Sequence, residues 1–350
     1  MRAAFAIPGD LETPTGGYGY ARRVIAETAD HGITLAHLPL PGGFPGAGAD
    51  EVAEALARLG RVPAGQPILL DGLAGGALPG EAIARLAAPV VMLCHHPLAL
   101  ETGLDPVEAD ILRRTERAAL TASRHVIASS ASTAKILTRD YDVETDRITI
   151  ARPGTDPAAP ANGGDDETLR LLSVGSITRR KGHDLVISAL ADMDDGRTAW
   201  QLRVVGAALD AEFERLLQDR IAEHGLEGRV HLTGPLGSAD LEAEYARADL
   251  FVLASHFEGF GMAFVEAVAR GLPVLGLASD AVAEATKGAA QLVPAEAFPD
   301  ALKRLISDRH QRTALAARSR AAAPTLQRWS ETARIIAETL RQITPQKATA

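Results

Sequence analysis

Residues 254–276 read Ala254-Ser-His-Phe-Glu258-Gly259-Phe260-Gly261-Met262-Ala-Phe-Val-Glu266-Ala-Val-Ala-Arg-Gly271-Leu-Pro273-Val-Leu-Gly276. An apolar run, Leu250 to Leu253, leads in and predicts a buried strand. Glycines at 259 and 261 break the chain into a loop, and a helix carrying Ala263, Ala267 and Val268 toward a sheet is expected next. Gly271 and Pro273 stop that helix, and Val274 begins another strand. Glu258 falls in the loop and Glu266 inside the helix. Glycine lets backbone approach a ligand closely, and the first amides of a helix favour an anion. Amides for phosphate beside carboxylates for hydroxyls suit a sugar nucleotide. The bare alternative is an ordinary strand–helix–strand unit with a surface glutamate at each end.

Working outward, apolar runs and longer amphipathic segments alternate along the chain. Strands are predicted at Ala3–Ile7, Ile33–Leu38, Ile68–Leu70, Val90–Cys94, Val126–Ala128 and Ile148–Ala151. Helices are predicted at Tyr18–Asp30, Asp50–Leu59, Pro106–Ala122 and Ser132–Asp140. Apolar periodicity then lapses from Arg152 into a Pro-, Gly- and Ala-rich tract. It resumes with strands at Leu169–Val174, Gln201–Val205, Val230–Leu232, Leu250–Leu253, Val274–Leu277 and Gln291–Val293. This alternation predicts an α/β protein with two tandem Rossmann-like domains, each a parallel sheet covered on both faces. The expected division is 1–154, a linker at 155–168, a second domain at 169–325, and a C-terminal helix within 326–350. Ligands of such sheets lie at the carboxyl ends of the strands, which places the expected site in the cleft between the halves.

The bulk properties narrow the partners. The chain has 350 residues, 46% hydrophobic and 23% charged, with a net charge of −9. A basic footprint for nucleic acid is missing, and attraction to anionic lipid is weakened. A single cysteine, Cys94, precludes an intrachain disulfide and fits a reducing compartment. Pro8 interrupts the first apolar run before a signal peptide could form, and no run approaches the ~18 apolar residues of a membrane span. A cytoplasmic protein is expected.

Three further stretches carry polar residues at strand ends. Thr13-Pro-Thr-Gly16-Gly17-Tyr18-Gly19-Tyr20 lies between the first strand and helix and allows a tight turn near an anion. Val90-Val-Met-Leu-Cys94-His95-His96 sets two histidines at the end of a buried strand, where neutral imidazole can donate to a hydroxyl. Either histidine alone could instead cap the strand. Gly175-Ser176-Ile-Thr-Arg179-Arg180-Lys181-Gly182 combines glycines, three cations and a helix start, a suitable grip for pyrophosphate.

These motifs together resemble the retaining family-4 glycosyltransferases of the GT-B fold. The resemblance runs over nearly the whole chain, and its most specific part is Glu258-Gly259-Phe260-Gly261-Met262…Glu266. It implies a metal-independent, hexosyltransferase-type enzyme without a cofactor, moving a sugar from a UDP-, GDP- or ADP-sugar to an acceptor hydroxyl with an α linkage. The second domain would hold the donor through Gly175, Arg180, Lys181, Gly234, Glu258, Gly259, Phe260, Gly261, Met262 and Glu266, with Gly16 and Gly17 over the diphosphate. Glu266 would accept the ribose hydroxyls and Glu258 those of the transferred sugar. Arg180 and Lys181 would neutralise the departing diphosphate. A strand-end histidine would touch the sugar, matched to His95 with His96 as the fallback. Tyr18 and His96 are acceptor-side candidates for a small-molecule, glycan or lipid-linked acceptor. The last helix would pack on the first domain.

Departures are equally visible. Ser176 stands where many relatives carry arginine, and Ser279-Asp-Ala-Val-Ala-Glu284 replaces a Gly-Gly-X-Pro-Glu turn. Asp192-Met-Asp194 spells an Asp-X-Asp metal motif, but it follows a helix and is read as a surface turn. A non-catalytic sugar-nucleotide-binding or scaffold protein, and a sugar-nucleotide epimerase, are the alternatives.

Overall fold

A computed structural model describes residues 1–163, 167–193 and 198–344. Asp194 and residues 164–166 of the expected linker lie outside the described residues. Two units divide the chain: Met1–Gly154 together with the chain from Gln327 onward, and Thr155–Leu326.

In the first unit six parallel strands form one sheet: β1 (Arg2–Pro8), β2 (Thr34–Leu40), β3 (Ile68–Asp71), β4 (Val90–Cys94), β5 (His125–Ala128) and β6 (Ile148–Ile150). Their order is β2-β1-β3-β4-β5-β6. The chain winds from β1 to β2 on one side and returns to place β3 on the other, so the topological switch lies between β1 and β3. Every residue of β3 and β4 is buried, which explains why these strands read as unbroken apolar runs rather than alternating ones. The helix Pro106–Ala122 begins where Asp105 accepts from the Val107 and Glu108 amides and Glu108 returns to the Asp105 amide.

Two short helices, Gly72–Gly75 and Gly80–Ala84, occupy the β3–β4 connection. Glycine content hid them from a reading by periodicity. The helix Trp329–Ile343 is part of this unit. Gly154 permits its approach, since a Cβ there would stand 2.2 Å from the Trp329 amide nitrogen. Thr332 Oγ1 and Gln327 Nε2 both donate to the Arg152 carbonyl, at 2.6 and 2.9 Å.

The second unit repeats the plan with β7 (Leu169–Val174), β8 (Trp200–Val205), β9 (Val230–Gly234), β10 (Leu250–Leu253), β11 (Val274–Leu277) and β12 (Gln291–Val293). The order β12-β11-β10-β7-β8-β9 puts its switch between β7 and β10. Its core gathers Leu171, Ile187, Leu202, Val252 and Leu302, each burial of this kind contributing about 1.5–3 kcal/mol. Within the tract expected as linker, the Ala161 and Asn162 amides donate to the Arg270 and Ala246 carbonyls, so this stretch lies against the second unit.

Two local expectations are corrected. The helix start expected within the stretch Gly175–Gly182 falls at His183, because Gly182 takes φ +62° and ends a separate 3-10 turn, Arg179–Lys181. The basic triplet therefore precedes the helix rather than crowding its positive end. In the helix Met262–Ala269 the buried residues are Phe264, Val265, Ala267 and Val268, while Ala263 is only partly covered. The helix starts at Met262, and that phase turns Phe264 inward.

Candidate active site

The carboxyl ends of β7 and β10 flank the switch of the second sheet. The loop after β7 supplies Arg180 and Lys181, and the loop after β10 supplies Glu258. Lys181 Nζ donates to Glu258 Oε1 at 2.7 Å, while Arg180 Nη1 stands 3.9 Å from Oε2 and donates to the Phe257 carbonyl at 2.9 Å. The loops are stitched by backbone: the His256 amide and Ser255 hydroxyl both donate to the Arg180 carbonyl, at 2.8 and 3.2 Å. Gly182 packs on Ala254, where a Cβ would fall 2.0 Å from the carbonyl oxygen. At Gly175 a Cβ would come within 3.2 Å of the Lys181 stem, so glycine leaves that side chain its path. Arg179 turns away, toward Asp210 and Glu212 and over the Phe213 ring.

Burial alone would raise the Glu258 carboxyl. The charges of Lys181 and Arg180, with hydrogen bonds from Lys181 and Ser255, outweigh it and hold the group below the usual carboxylate range. Glu258 is thus a fixed anion.

Gly261, at φ +99°, caps the helix that carries Glu266. A Cβ there would press on Val282 at 3.0 Å. That gives the segment Ser279–Glu284 a supporting place: Ser279 caps the helix Asp280–Ala285, which presents Val282. Phe260 is buried and Gly259 and Met262 are partly exposed beside it. Glu266 accepts from the Tyr245 hydroxyl at 2.9 Å. Burial pushes its carboxyl up, against the opposing pull of Tyr245 and Arg270. Arg270 lies over the Tyr245 ring at 4.4 Å and pairs with Glu242. Tyr245 escaped the sequence reading because it stands on the preceding helix, Ser238–Arg247, with no local pattern marking it. Gly234, at φ +71°, ends β9, and its carbonyl accepts from Gly206 at 3.1 Å.

In the first unit a second group of side chains meets at the switch between β1 and β3. His95 follows β4, and its Nε2 stands 3.6 Å from Oδ2 of Asp71, the last residue of β3. Tyr20 meets the His95 ring edge-on at 5.1 Å between centroids. Gly17 covers the ring, with a Cβ position 3.7 Å from Cδ2. Gly16 opens the helix Gly16–Glu27. Tyr18 donates to the Pro8 carbonyl at 2.8 Å, and burial followed by the charges of Asp71 and Asp10 raises its phenol. His96 Nε2 lies 3.3 Å from Glu101 Oε2. Asp71 is the residue missed here; a lone acid ending the run Ile68-Leu-Leu was its only signal.

Among the described residues no three His, Cys, Asp or Glu side chains gather as a metal site. Among them, too, no helix is long and apolar enough to cross a membrane.

Comparison with known proteins adds a family and a fold. The family profile of Glycosyl transferases group 1 matches residues 156–322, and that of Glycosyltransferase Family 4 matches residues 70–159. A D-inositol 3-phosphate glycosyltransferase from Frankia alni is 32% identical over 248 residues, 65% of this chain and 60% of that protein. The chain spans between 37% and 60% of the length of the first curated relatives it matches. The sucrose-phosphate synthase of Thermosynechococcus elongatus has the same fold, with a TM-score of 0.79 at 21% identity, over 98% of this chain and 99% of that one. Anabaena HepE, solved in complex with UDP and glucose, gives 0.73 at 20% identity, over 97% and 99%.

Proposed function

We propose, for a chain that belongs to the family-4 glycosyltransferases of the GT-B fold, that it transfers a hexose from a nucleotide sugar to an acceptor hydroxyl with retention of configuration. The observation that carries this reading is the convergence of Arg180, Lys181 and Glu258 at the switch of the second sheet, with Glu266 on the helix beyond.

Each group has a chemical task. Arg180 and Lys181 face the diphosphate and stabilise the charge that grows as the sugar–phosphate bond breaks. Glu266, oriented by Tyr245, accepts the ribose hydroxyls. Glu258, kept ionised, holds hydroxyls of the transferred sugar. His95 contacts that sugar near its reacting carbon, and Gly16 and Gly17 cover the diphosphate. Tyr18 and His96 belong to the acceptor side. Glu258 is committed to the two cations, which leaves it poorly suited to act as a nucleophile. The reading is therefore front-face displacement: the bond to the phosphate oxygen breaks, the acceptor oxygen bonds on the same face, and its proton passes to the leaving phosphate. The cations carry the leaving-group charge, so no divalent metal enters the scheme. UDP, GDP and ADP are all admitted as carriers; the relative solved with UDP and glucose supports UDP.

The test is a calorimetric screen of UDP-, GDP- and ADP-sugars, followed by mass spectrometry for sugar released without acceptor. One nucleotide series should bind and its sugar should be slowly hydrolysed. Binding with no hydrolysis and no transfer to any acceptor would favour the binding-protein alternative, to which Ser176 lends some support.

A further inference from the structure

We propose that Asp71 is the positioning residue of His95: it holds the imidazole proton on Nε2 and leaves the Nδ1 lone pair as the edge offered to substrate. The proposal rests on the reading of His95 as a sugar contact, and it changes what that contact is. His95 then accepts a hydrogen bond from a sugar hydroxyl rather than donating one.

The geometry defines each atom's task. Asp71 is 7% exposed. Its Oδ1 accepts from the Leu73 amide at 2.9 Å, which caps the turn after β3 and fixes the carboxylate. Oδ2 remains, 3.6 Å from His95 Nε2. That nitrogen is buried and has no hydrogen-bond partner among the described residues. Tyr18 does not compete for Oδ2, since its hydroxyl is given to the Pro8 carbonyl. The imidazole is closely surrounded: a Cβ at Gly17 would stand 3.7 Å from Cδ2 and 3.8 Å from Nε2, Tyr20 packs against the ring in a T-shaped arrangement, and the Ser129 hydroxyl holds the His95 main chain through its carbonyl at 2.7 Å. About 24% of the His95 side chain is exposed and Nε2 is not part of that surface, so Nδ1 is the ring nitrogen this proposal offers to substrate.

A carboxylate facing one ring nitrogen draws the proton there and makes the other nitrogen an acceptor. Such an outer partner also fixes ring orientation, as it does for histidines that bind metals. Asp71 touches neither sugar nor phosphate in this scheme and acts through His95 alone.

The experiment reads the tautomer directly. In protein labelled with 15N at histidine, long-range proton–nitrogen correlation spectra distinguish a protonated Nε2 from a protonated Nδ1, and the His95 signals are assigned by their loss in His95→Ala. The unmodified protein should show His95 protonated on Nε2. Asp71→Asn keeps the cap through its Oδ1 but turns an amide donor toward Nε2, so the proton should move to Nδ1. Asp71→Ser, which also caps a turn but has no carboxylate, should give a mixture. With the nucleotide sugar found to bind, Asp71→Asn should lower kcat roughly ten- to a hundredfold. Affinity for the free nucleoside diphosphate should stay within twofold, because the side chains read as holding it, Arg180, Lys181 and Glu266, lie on the other unit. A His95 protonated on Nδ1 in the unmodified protein, or an unchanged tautomer in Asp71→Asn, overturns the proposal. Unchanged turnover in His95→Ala would instead remove the sugar-contact reading, a separate outcome that the spectra do not depend on.

Discussion

Lys181 Nζ lies 2.7 Å from Glu258 Oε1, and this pair, 77 positions apart in the chain, joins the two loops of the second unit's switch point. Of the two cations proposed to face a diphosphate, Lys181 is already paired with a carboxylate and Arg180 stands 3.9 Å from it. A phosphate that binds them competes with Glu258, so donor binding is in part an exchange of anions.

Lys181→Ala should weaken nucleoside diphosphate binding roughly tenfold or more, the usual weight of a charge-assisted contact. Calorimetry on the folded variant checks it. An affinity within twofold of the parent's would take Lys181 out of the diphosphate site.

The two glutamates should fail differently. Glu266→Gln should weaken free nucleoside diphosphate and intact donor alike, since both contain ribose. Glu258→Gln removes the competing carboxylate, so diphosphate affinity should hold or tighten a few-fold, while turnover drops at least about tenfold. The reverse pattern in calorimetry and steady-state rates would exchange the two assignments.

Tyr245→Phe tests the support behind Glu266. Losing one hydrogen bond, worth about 0.5–1.5 kcal/mol net, should lower diphosphate affinity roughly two- to tenfold. Burial already raises the Glu266 carboxyl and the Tyr245 hydroxyl opposes that rise. Without the hydroxyl the group gains its proton at higher pH, so the deficit should be larger at pH 6 than at pH 8. Equal deficits at both pH values would show that Tyr245 supports packing alone.

Glu116 offers a stability test away from the chemistry. It is 2% exposed and accepts from the Leu98 amide at 2.9 Å. Burial pushes its carboxyl up to about 8, against hydrogen bonds from Leu98 and Tyr141. The folded protein keeps this proton where the unfolded chain has lost it. Its contribution is therefore full below about pH 4.5 and is lost as pH rises toward 8, with a slope no steeper than about 1.4 kcal/mol per pH unit. Glu116→Gln should flatten that decline in denaturant midpoints measured between pH 5 and 8. Parallel curves for the two proteins would mean that Glu116 is ionised in the fold.

A fifth expectation concerns metal. Transfer should survive EDTA, because Arg180 and Lys181 carry the leaving-group charge. Activity lost to EDTA and restored by manganese would reject the proposed chemistry.

The sheets were legible because their strands are local apolar runs: Val90–Cys94, Leu169–Val174 and Leu250–Leu253 have the bounds their sequence predicts. Glu258 and Glu266 were visible because glycines and a helix stop surround them. Asp71, Tyr245 and Glu116 were not, since each is a lone polar residue whose meaning arises from partners 24, 21 and 18 positions away. Gly182 was read as part of a phosphate grip, yet its left-handed backbone, which moved the helix start to His183, depends on its approach to Ala254. Only the assembled switch point requires that approach.

Tyr20 stands between two rings, His95 at 5.1 Å and Trp329 at 5.7 Å. Trp329 arrives on a helix encoded after the entire second unit, and Gly154 and Arg152 receive it. The consequence is one of timing during synthesis. The second unit is a continuous stretch, Thr155–Leu326, and can close once Leu326 has left the ribosome. The first unit, although its strands are translated earlier, lacks the ring behind Tyr20 until residue 329 emerges, so of the two units the one translated earlier is the one that matures later.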